Sequence, residues 1–422
     1  MTGWLLADSR FRPLFICQFL SAFGDNLLRN ALGVLVLWSA GTDGKHQEWM
    51  VAAAAGTFVA PSILLSGLGG ELADKMDKAR LIRALKFADL MVACIAAAGL
   101  AVGQLNVVFA ALVGSGAVAA LFGPVKYGIL PDQFGKDRLG AANALVEGAT
   151  FAAILGGSVG ANLLAGRDRG ATLIAAVVVA VAMLSWISAC GVSTTVPAAP
   201  LLVARANLLV STRDLLLALR RDRRSWRAAL ASTWFWMVGA AVLSLLPGLV
   251  HDVLGGSARE NGAFLALFAL GVACGSALAS YLNGERIILV TAAIGCAMAG
   301  ASLLEVWHLT WTGAVQSWPL FLALLVTATG AGMLAVPAQA AVQAWAAPER
   351  RARAVGGMNV LAALGMVLTS VLLVAAQKLG IGEPALLGVV GLVCVLLAPL
   401  LLLTLPTDPA DELAWIMARL FR

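Results

Sequence analysis

Long apolar runs follow one another along almost the whole chain, separated by short polar stretches. A helix that crosses the roughly 30 Å hydrocarbon core of a bilayer needs about 20 such residues. The runs are too long and too rich in Ala and Leu for barrel strands, and they lack the alternation of strands. The pattern predicts an all-α membrane protein with twelve transmembrane helices. The runs lie at about 12–38, 49–70, 79–103, 105–127, 139–166, 170–195, 227–250, 260–282, 286–308, 318–342, 353–377 and 382–405.

One long polar stretch, residues 197–226, interrupts this series in the middle. Its leucines, among them Leu208 and Leu215, give part of it an apolar face, which is typical of a helix that lies on a membrane surface. Its arginines are Arg205, Arg213, Arg220, Arg221, Arg223 and Arg224. We expect an N-terminal six-helix bundle over 1–196, a cytoplasmic linker with an interfacial helix over 197–226, a second six-helix bundle over 227–406, and a cytoplasmic tail over 407–422.

The two halves repeat a local pattern. Pro124, near the end of the fourth run, is followed by the G-x-x-N motif of residues 140–143, and Pro337 is followed in the same way by residues 356–359. Two parallel six-helix halves related by an axis along the membrane normal are the plan of the major facilitator fold. In that fold the substrate path lies between the halves near the bilayer midplane. The repeat therefore predicts two pseudo-symmetric bundles of this type.

Composition and charge support a membrane class. Hydrophobic residues make up 60% of the chain and charged residues 12%, whereas soluble domains carry about 25% charged residues. Lys and Arg collect in alternate loops, near residues 10–12, 75–83, 136–138 and 350–353. The positive-inside rule then places both termini in the cytoplasm. The net charge of +6 indicates topology and contact with membrane lipids, not nucleic-acid binding.

The sequence offers little support for an enzyme. Residues 156–160 match the G-x-S-x-G motif, but that motif needs a strand-to-helix turn and a histidine partner, and here it lies within a predicted membrane helix. Close helix packing explains it better. The chain has no G-x-x-x-x-G-K-[ST] loop, and its six cysteines all lie in predicted helices without metal-site spacing. We expect no catalytic residues, no metal and no cofactor.

Charged and amide side chains fall inside the first predicted helix. An ionisable residue at the bilayer centre costs about 2.5–3.5 kcal/mol on insertion scales, so it suggests a function. Asp25 and Arg29 are four residues apart and share a face with Asn26 and Asn30. The alternative is a structural pair in which Asp25 and Arg29 neutralise each other.

Further polar residues occur in helices three to five. Lys86 and Asp89 are three residues apart and could pair, or Lys86 could extend to the membrane surface. Lys126 ends the fourth helix, where it could contact a phosphate or be a membrane-edge lysine. Asn143 and Glu147 are one turn apart on one face of the fifth helix.

Residues 70–80, after the second run, resemble the cytoplasmic gate signature G-x-L-A-D-R-x-G-R of the major facilitator superfamily, with Asp77 in place of the usual glycine. A carboxylate here can accept hydrogen bonds from the N-terminus of a facing helix. We therefore expect Gly70, Asp74 and Lys78 to form an inner gate. The alternative is a solvated charged loop.

Three stretches of the first half resemble motifs of the bacterial lysophospholipid transporter family. They are residues 18–26 (QFLSAFGDN), 123–131 (GPVKYGILP) and 142–150 (ANALVEGAT). The resemblance implies a flippase that moves lysophospholipids, such as lysophosphatidylethanolamine, from the outer to the inner leaflet of the bacterial cytoplasmic membrane. A separate acyl-ACP synthetase/acyltransferase would then restore the second acyl chain. The alternative function is export of amphipathic drugs or metabolites on the same fold.

A lysophospholipid needs a polar path for its head group and an apolar path for its acyl chain. Acidic side chains could meet an ammonium, and Lys126 could meet the phosphate. Some family members carry an arginine in helix seven that faces the aspartate of helix one; residues 228–250 contain none, so Arg29 is the local candidate partner of Asp25. We expect one shared cavity lined by the substrate-binding residues Asp25, Asn26, Arg29, Lys126, Asn143 and Glu147.

Overall fold

The structure is a computed structural model that describes residues 2–38, 44–165, 167, 169–203, 207–256, 258–313, 317–403 and 408–420. Within these ranges, the side chains of 2–4, 34–38, 44–57, 258, 259 and 317 are not described. Arg205 of the predicted linker and the predicted boundary between 406 and 407 lie outside the described residues.

Helices account for nearly all of the described chain. The connections include a π-helical turn at Leu249–Val253 and a 3-10 turn at Pro348–Arg350. In chain order the α-helices are α1 (Thr2–Ala7), α2 (Phe11–Trp38), α3 (Gly44–Lys75), α4 (Lys78–Ala101), α5 (Leu105–Gly128), α6 (Leu130–Phe134), α7 (Leu139–Ala165), α8 (Gly170–Cys190), α9 (Leu208–Arg221), α10 (Arg223–Gly248), α11 (Ala258–Asn283), α12 (Val290–Trp311), α13 (Ser317–Trp345), α14 (Arg351–Lys378), α15 (Glu383–Leu403) and α16 (Pro409–Leu420).

The described residues contain 10 helices that are long and apolar enough to cross a membrane. They are α4, α5 together with α6, α7, α8 and α10 to α15. The two remaining predicted runs form α2, with 28 residues, and α3, with 32 residues. The chain is therefore a multi-pass helical membrane protein, and the total of twelve spans stays a prediction.

The helix boundaries follow the apolar runs within a few residues, and local capping explains one difference. Asp222 accepts a hydrogen bond from the backbone N–H of Arg224 at 3.2 Å and caps the start of α10. Because a cap of this kind stabilises a helix start, α10 begins at Arg223, before the apolar run that starts near 227. The linker contains the helix α9, which ends at Arg221, and its location at the membrane surface stays a prediction.

The chain forms two compact units. The first contains Met1–Gln133, Ala152–Leu219 and Ala346–Ala363, and the second contains Phe134–Phe151, Arg220–Trp345 and Leu364–Arg422. Each unit thus includes helix segments from both halves of the sequence, because α7 and α14 are each divided between the units. The boundaries expected from the polar break stay a prediction.

The two units use the same set of helix pairings. In the first, α3 packs on α5, α4 packs on both α5 and α8, and α2 packs on α5 and α8. In the second, α11 packs on α13, α12 packs on both α13 and α15, and α10 packs on α13 and α15. The second set is the first set repeated in chain order, so the repeat expected from the sequence is present in the packing.

Small residues allow some of these helices to approach closely. Gly271 and Gly275 form a G-x-x-x-G motif on α11, and a Cβ at Gly275 would overlap the backbone carbonyl of Thr329 on α13. Such spacing lets helix backbones touch within a membrane. The α11–α13 pair of the second unit therefore depends on glycine at this position.

Candidate functional site

A partly open cleft lies within the first unit, between α2, α4, α5 and α8. Its polar lining consists of two carboxylates, from Asp25 and Asp89, and two hydroxyls, from Ser21 and Ser115. The rest of its lining is apolar apart from a glycine, and includes Leu20, Leu28, Val92, Val178 and Val181. The cleft therefore combines negative charge with aliphatic walls inside a membrane-spanning bundle.

Asp25 and Arg29 take different partners. The Ser115 hydroxyl donates a short hydrogen bond to Asp25 Oδ1. The Arg29 guanidinium donates to Asn26 Oδ1 at 2.6 Å, and its Cζ lies 5.8 Å from the centroid of the Phe58 ring. The hydrogen-bond partner of Asp25 is therefore a neutral hydroxyl of α5 and not the guanidinium of its own helix.

Lys86 and Asp89 form the pair that their spacing suggested. Lys86 Nζ lies 3.1 Å from Asp89 Oδ2 and donates to Ser21 Oγ at 2.5 Å. The same ammonium lies 4.0 Å from the centroid of the Phe122 ring, and the Lys86 side chain is 0% exposed. Lys86 therefore does not extend to the membrane surface. It neutralises Asp89 from within the bundle.

Replacing Lys86 alone should destabilise the protein, because Lys86→Met leaves the buried Asp89 carboxylate without its cation. Breaking a buried ion pair on one side costs about 3–5 kcal/mol. The double variant Lys86→Met/Asp89→Asn removes both charges and should recover most of that loss. The apparent melting temperature in detergent measures both effects. If the single variant melts like the parent protein, Lys86 does not neutralise Asp89.

Asp74 connects the end of α3 to the start of α14 within the first unit. Its carboxylate accepts hydrogen bonds from the backbone N–H groups of Ala352, at 3.0 Å, and Arg353, at 3.2 Å. It also accepts one from Arg353 Nε at 3.0 Å, and Asp74 is 0% exposed. A carboxylate at a helix N-terminus is favoured both by the free N–H groups and by the helix dipole.

The other two predicted gate residues lie at the same contact. A Cβ at Gly70 would lie 2.7 Å from the carbonyl oxygen of Ala352, so α14 approaches α3 as closely as a glycine permits. Lys78 Nζ lies 2.8 Å from Asp132 Oδ2, and Arg351 donates to Asp132 Oδ1, also at 2.8 Å. Asp132 on α6 thus bridges two cations, a role that its place in the sequence did not indicate.

Asn143 and Glu147 lie in the second unit, buried between α7 and α13. The amides of Asn143 and Gln343 exchange two hydrogen bonds, of 3.1 and 2.8 Å. One turn along, Gln339 Nε2 donates to Glu147 Oε2 at 3.2 Å. All four side chains are at most 1% exposed. These two rungs, which we call the α7–α13 ladder, join a helix of the first sequence half to a helix of the second.

The predicted substrate residues therefore divide into three groups. Asp25 lines the cleft, while Asn26 is buried beside it on α2 and accepts from Arg29. Lys126 Nζ lies 4.6 Å from the centroid of the Tyr127 ring in the same unit. Asn143 and Glu147 belong to the ladder of the second unit. One cavity shared by all six residues stays a prediction.

Membrane-spanning helices in two repeated sets, with charged side chains buried among them, define a polytopic membrane transporter. The family model of the Major Facilitator Superfamily matches residues 14–315. The human organic anion transporter MFSD10 (TETRAN) has a similar fold, with a TM-score of 0.76 and 16% identity over 93% of this chain and 98% of that one.

Proteins with similar sequences identify the family more narrowly. The protein named lysophospholipid transporter LplT of Cronobacter sakazakii is 29% identical over 357 residues, which cover 83% of this chain and 82% of its own length. The LplT of Salmonella typhi is 30% identical over 360 residues, with the same coverage of 83% and 82%. The chain belongs to the major facilitator superfamily and, within it, to the family of proteins named LplT.

Proposed function

We propose that the chain is a lysophospholipid flippase of the bacterial inner membrane, with both termini in the cytoplasm. It moves substrates such as lysophosphatidylethanolamine from the outer to the inner leaflet. A separate acyl-ACP synthetase/acyltransferase then restores the second acyl chain. The names of the LplT relatives support the substrate class, and the cleft of the first unit is the observation that carries the proposal.

The cleft suits an ammonium head group. Asp25 presents a carboxyl group whose hydrogen-bond partner is a neutral hydroxyl, and Ser21 and Ser115 add hydroxyl oxygens beside it. An ionised group is strongly destabilised in hydrocarbon unless it is paired. A primary ammonium entering the cleft would pair with Asp25, and both charges would then be satisfied.

Arg29 is the residue best placed for the phosphate. It lies one turn from Asp25 on α2, about 6 Å along the helix axis. Its neighbours are an amide oxygen, from Asn26, and the Phe58 ring. A guanidinium binds phosphate through a planar set of donors, so Arg29 and Asp25 together match a phosphate and an amine on one head group. The aliphatic walls of the cleft would accompany the acyl chain.

The contacts of Asp74 and the α7–α13 ladder would close the inner end of the path. Both connect helices of the first sequence half to helices of the second, and Asp74 and the four ladder residues are at most 1% exposed. Release of the head group to the inner leaflet then requires these contacts to open. We therefore assign Gly70, Asp74 and Lys78 to a closing contact of the first unit, and Asn143 and Glu147 to a closing contact of the second.

Uptake by the purified protein tests the proposal. Proteoliposomes should take up labelled lysophosphatidylethanolamine faster than protein-free liposomes, and mass spectrometry should recover the lipid unchanged. An assay with and without an imposed proton gradient would separate coupled from downhill movement. Uptake equal to that of protein-free liposomes under both conditions would contradict the flippase. Outward movement of amphipathic drugs in the same vesicles would favour the exporter instead.

A further inference from the structure

The C-terminal helix α16 is attached to the protein along one face. Glu412 and Ile416 are 8% and 4% exposed. Glu412 Oε2 accepts a hydrogen bond of 2.9 Å from the backbone N–H of Val290, the first residue of α12. Trp415 Nε1 donates to the carbonyl of Asn283, the last residue of α11, at 3.3 Å. This face holds α16 at the ends of two membrane-spanning helices.

A second face of α16 is apolar and exposed. Leu413, Met417 and Leu420 are 44%, 50% and 54% exposed, and their spacing of four and three residues places them in one stripe. At 3.6 residues per turn, Asp411 and Ala418 lie on the far side of the helix from that stripe. The helix therefore has an exposed apolar face in addition to the face that contacts α11 and α12.

The position of α16 along the chain keeps it beside the membrane. The membrane-spanning helix α15 ends at Leu403, and α16 begins at Pro409. A fully extended connection of this length reaches only about 20 Å. The attached face is fixed to α11 and α12, which also cross the membrane. An apolar stripe at this level meets the boundary between head groups and acyl chains.

We propose that α16 binds the lipid surface, with Leu413, Met417 and Leu420 inserted at the membrane–water interface. Helices that lie in the interface bury an apolar face about 5–10 Å deep in this way. The guanidiniums of Arg286 and Arg419 lie 4.1 and 5.8 Å from the centroid of the Trp415 ring, so two cations lie beside this side chain. Lipid contact on the outer face then holds Glu412 in place as the cap of α12.

Spin labels on the full-length protein test this assignment. The exposed Cys94, Cys190 and Cys274 are first replaced by Ser, and a nitroxide is then attached at Met417→Cys in vesicles of phosphatidylethanolamine and phosphatidylglycerol. We expect relaxation by oxygen to exceed relaxation by a water-soluble nickel chelate severalfold. The matched control, Ala418→Cys on the same helix, should show the opposite order.

Two other results of the spin-label experiment would contradict the proposal. Equal access of the nickel chelate to residues 417 and 418 would overturn the proposal, because the stripe would then face water. Shielding of residue 417 from both reagents would overturn it too, since a protein would then cover the stripe. As a second measurement, Leu413→Ser/Met417→Ser/Leu420→Ser should speed amide hydrogen exchange throughout α16 in vesicles and leave α10 unchanged. Unchanged exchange in α16 would show that lipid does not hold the helix.

Discussion

Replacing Asp25 with asparagine is expected to lower uptake of lysophosphatidylethanolamine about tenfold to a hundredfold. Asparagine keeps the shape of the side chain and an oxygen that can accept from Ser115, so the substitution removes chiefly the charge. A hydrogen bond to a charged group contributes about 1.5–3 kcal/mol, and each 1.4 kcal/mol corresponds to about a factor of ten. The loss should therefore follow from the missing pair between carboxylate and ammonium.

A lysophospholipid with a different head group is the control for this prediction. Lysophosphatidylglycerol has no ammonium, so its uptake by the Asp25→Asn variant should stay close to that of the parent protein. The matched variant Ser115→Ala removes the hydroxyl and keeps the carboxylate, and it should lower uptake of lysophosphatidylethanolamine less than Asp25→Asn does. If Asp25→Asn reduces uptake of both lipids equally, Asp25 does not recognise the ammonium.

The positions of the helices could be predicted from the sequence because the solvent of this fold is lipid. A membrane-spanning segment must satisfy its backbone internally and remain apolar over about 20 residues, which leaves a pattern that is difficult to miss. The predicted start of α10, near residue 227, was less accurate, because the helix begins where Asp222 caps it within a charged stretch. An apolar run marks the part of a helix that lies in the hydrocarbon core, and the helix itself continues beyond that run.

The contacts of the site were only partly predictable, because some join neighbouring turns of one helix and others join different helices. Lys86 and Asp89 lie on adjacent turns of one helix, so their spacing alone indicated a pair. Ser115, the partner of Asp25, is on another helix, and no local pattern distinguishes it from other serines. Gln339 and Gln343 likewise lie on a different helix, α13. Their pairing with Glu147 and Asn143 depends on how α13 packs against α7.

The same limit applies to Arg29. Its spacing from Asp25 permitted an ion pair, yet Asn26 is also within reach on the same helix face, and the guanidinium hydrogen-bonds to its amide at 2.6 Å. The spacing of two residues along a helix shows only whether their side chains can pair. Tertiary packing, here the Phe58 ring beside Arg29 and the Ser115 hydroxyl beside Asp25, selects among them.

Replacing Asp74 with alanine is expected to abolish uptake while the protein remains folded. The substitution removes the acceptor of three hydrogen bonds from the start of α14. At about 1.5–3 kcal/mol for each bond to a charged group, the loss is comparable to the roughly 5.5 kcal/mol that takes a two-state equilibrium from 99:1 to 1:99. The variant should therefore populate a state in which α3 and α14 are separated.

A graded pair of variants separates the gate from general damage. Arg353→Ala removes one of the three bonds and leaves the two backbone bonds to Asp74, so uptake should fall only in part. Spin labels at the exposed residues Met76 and Arg350 report the distance across this contact. Asp74→Ala should add a longer distance to the parent distribution, and Arg353→Ala should add a smaller fraction of it. A single unchanged distance in Asp74→Ala, combined with normal uptake, would mean that the inner end is closed without Asp74. The bond from Arg351 to Asp132 and the α7–α13 ladder would then be the next contacts between the sequence halves to be tested.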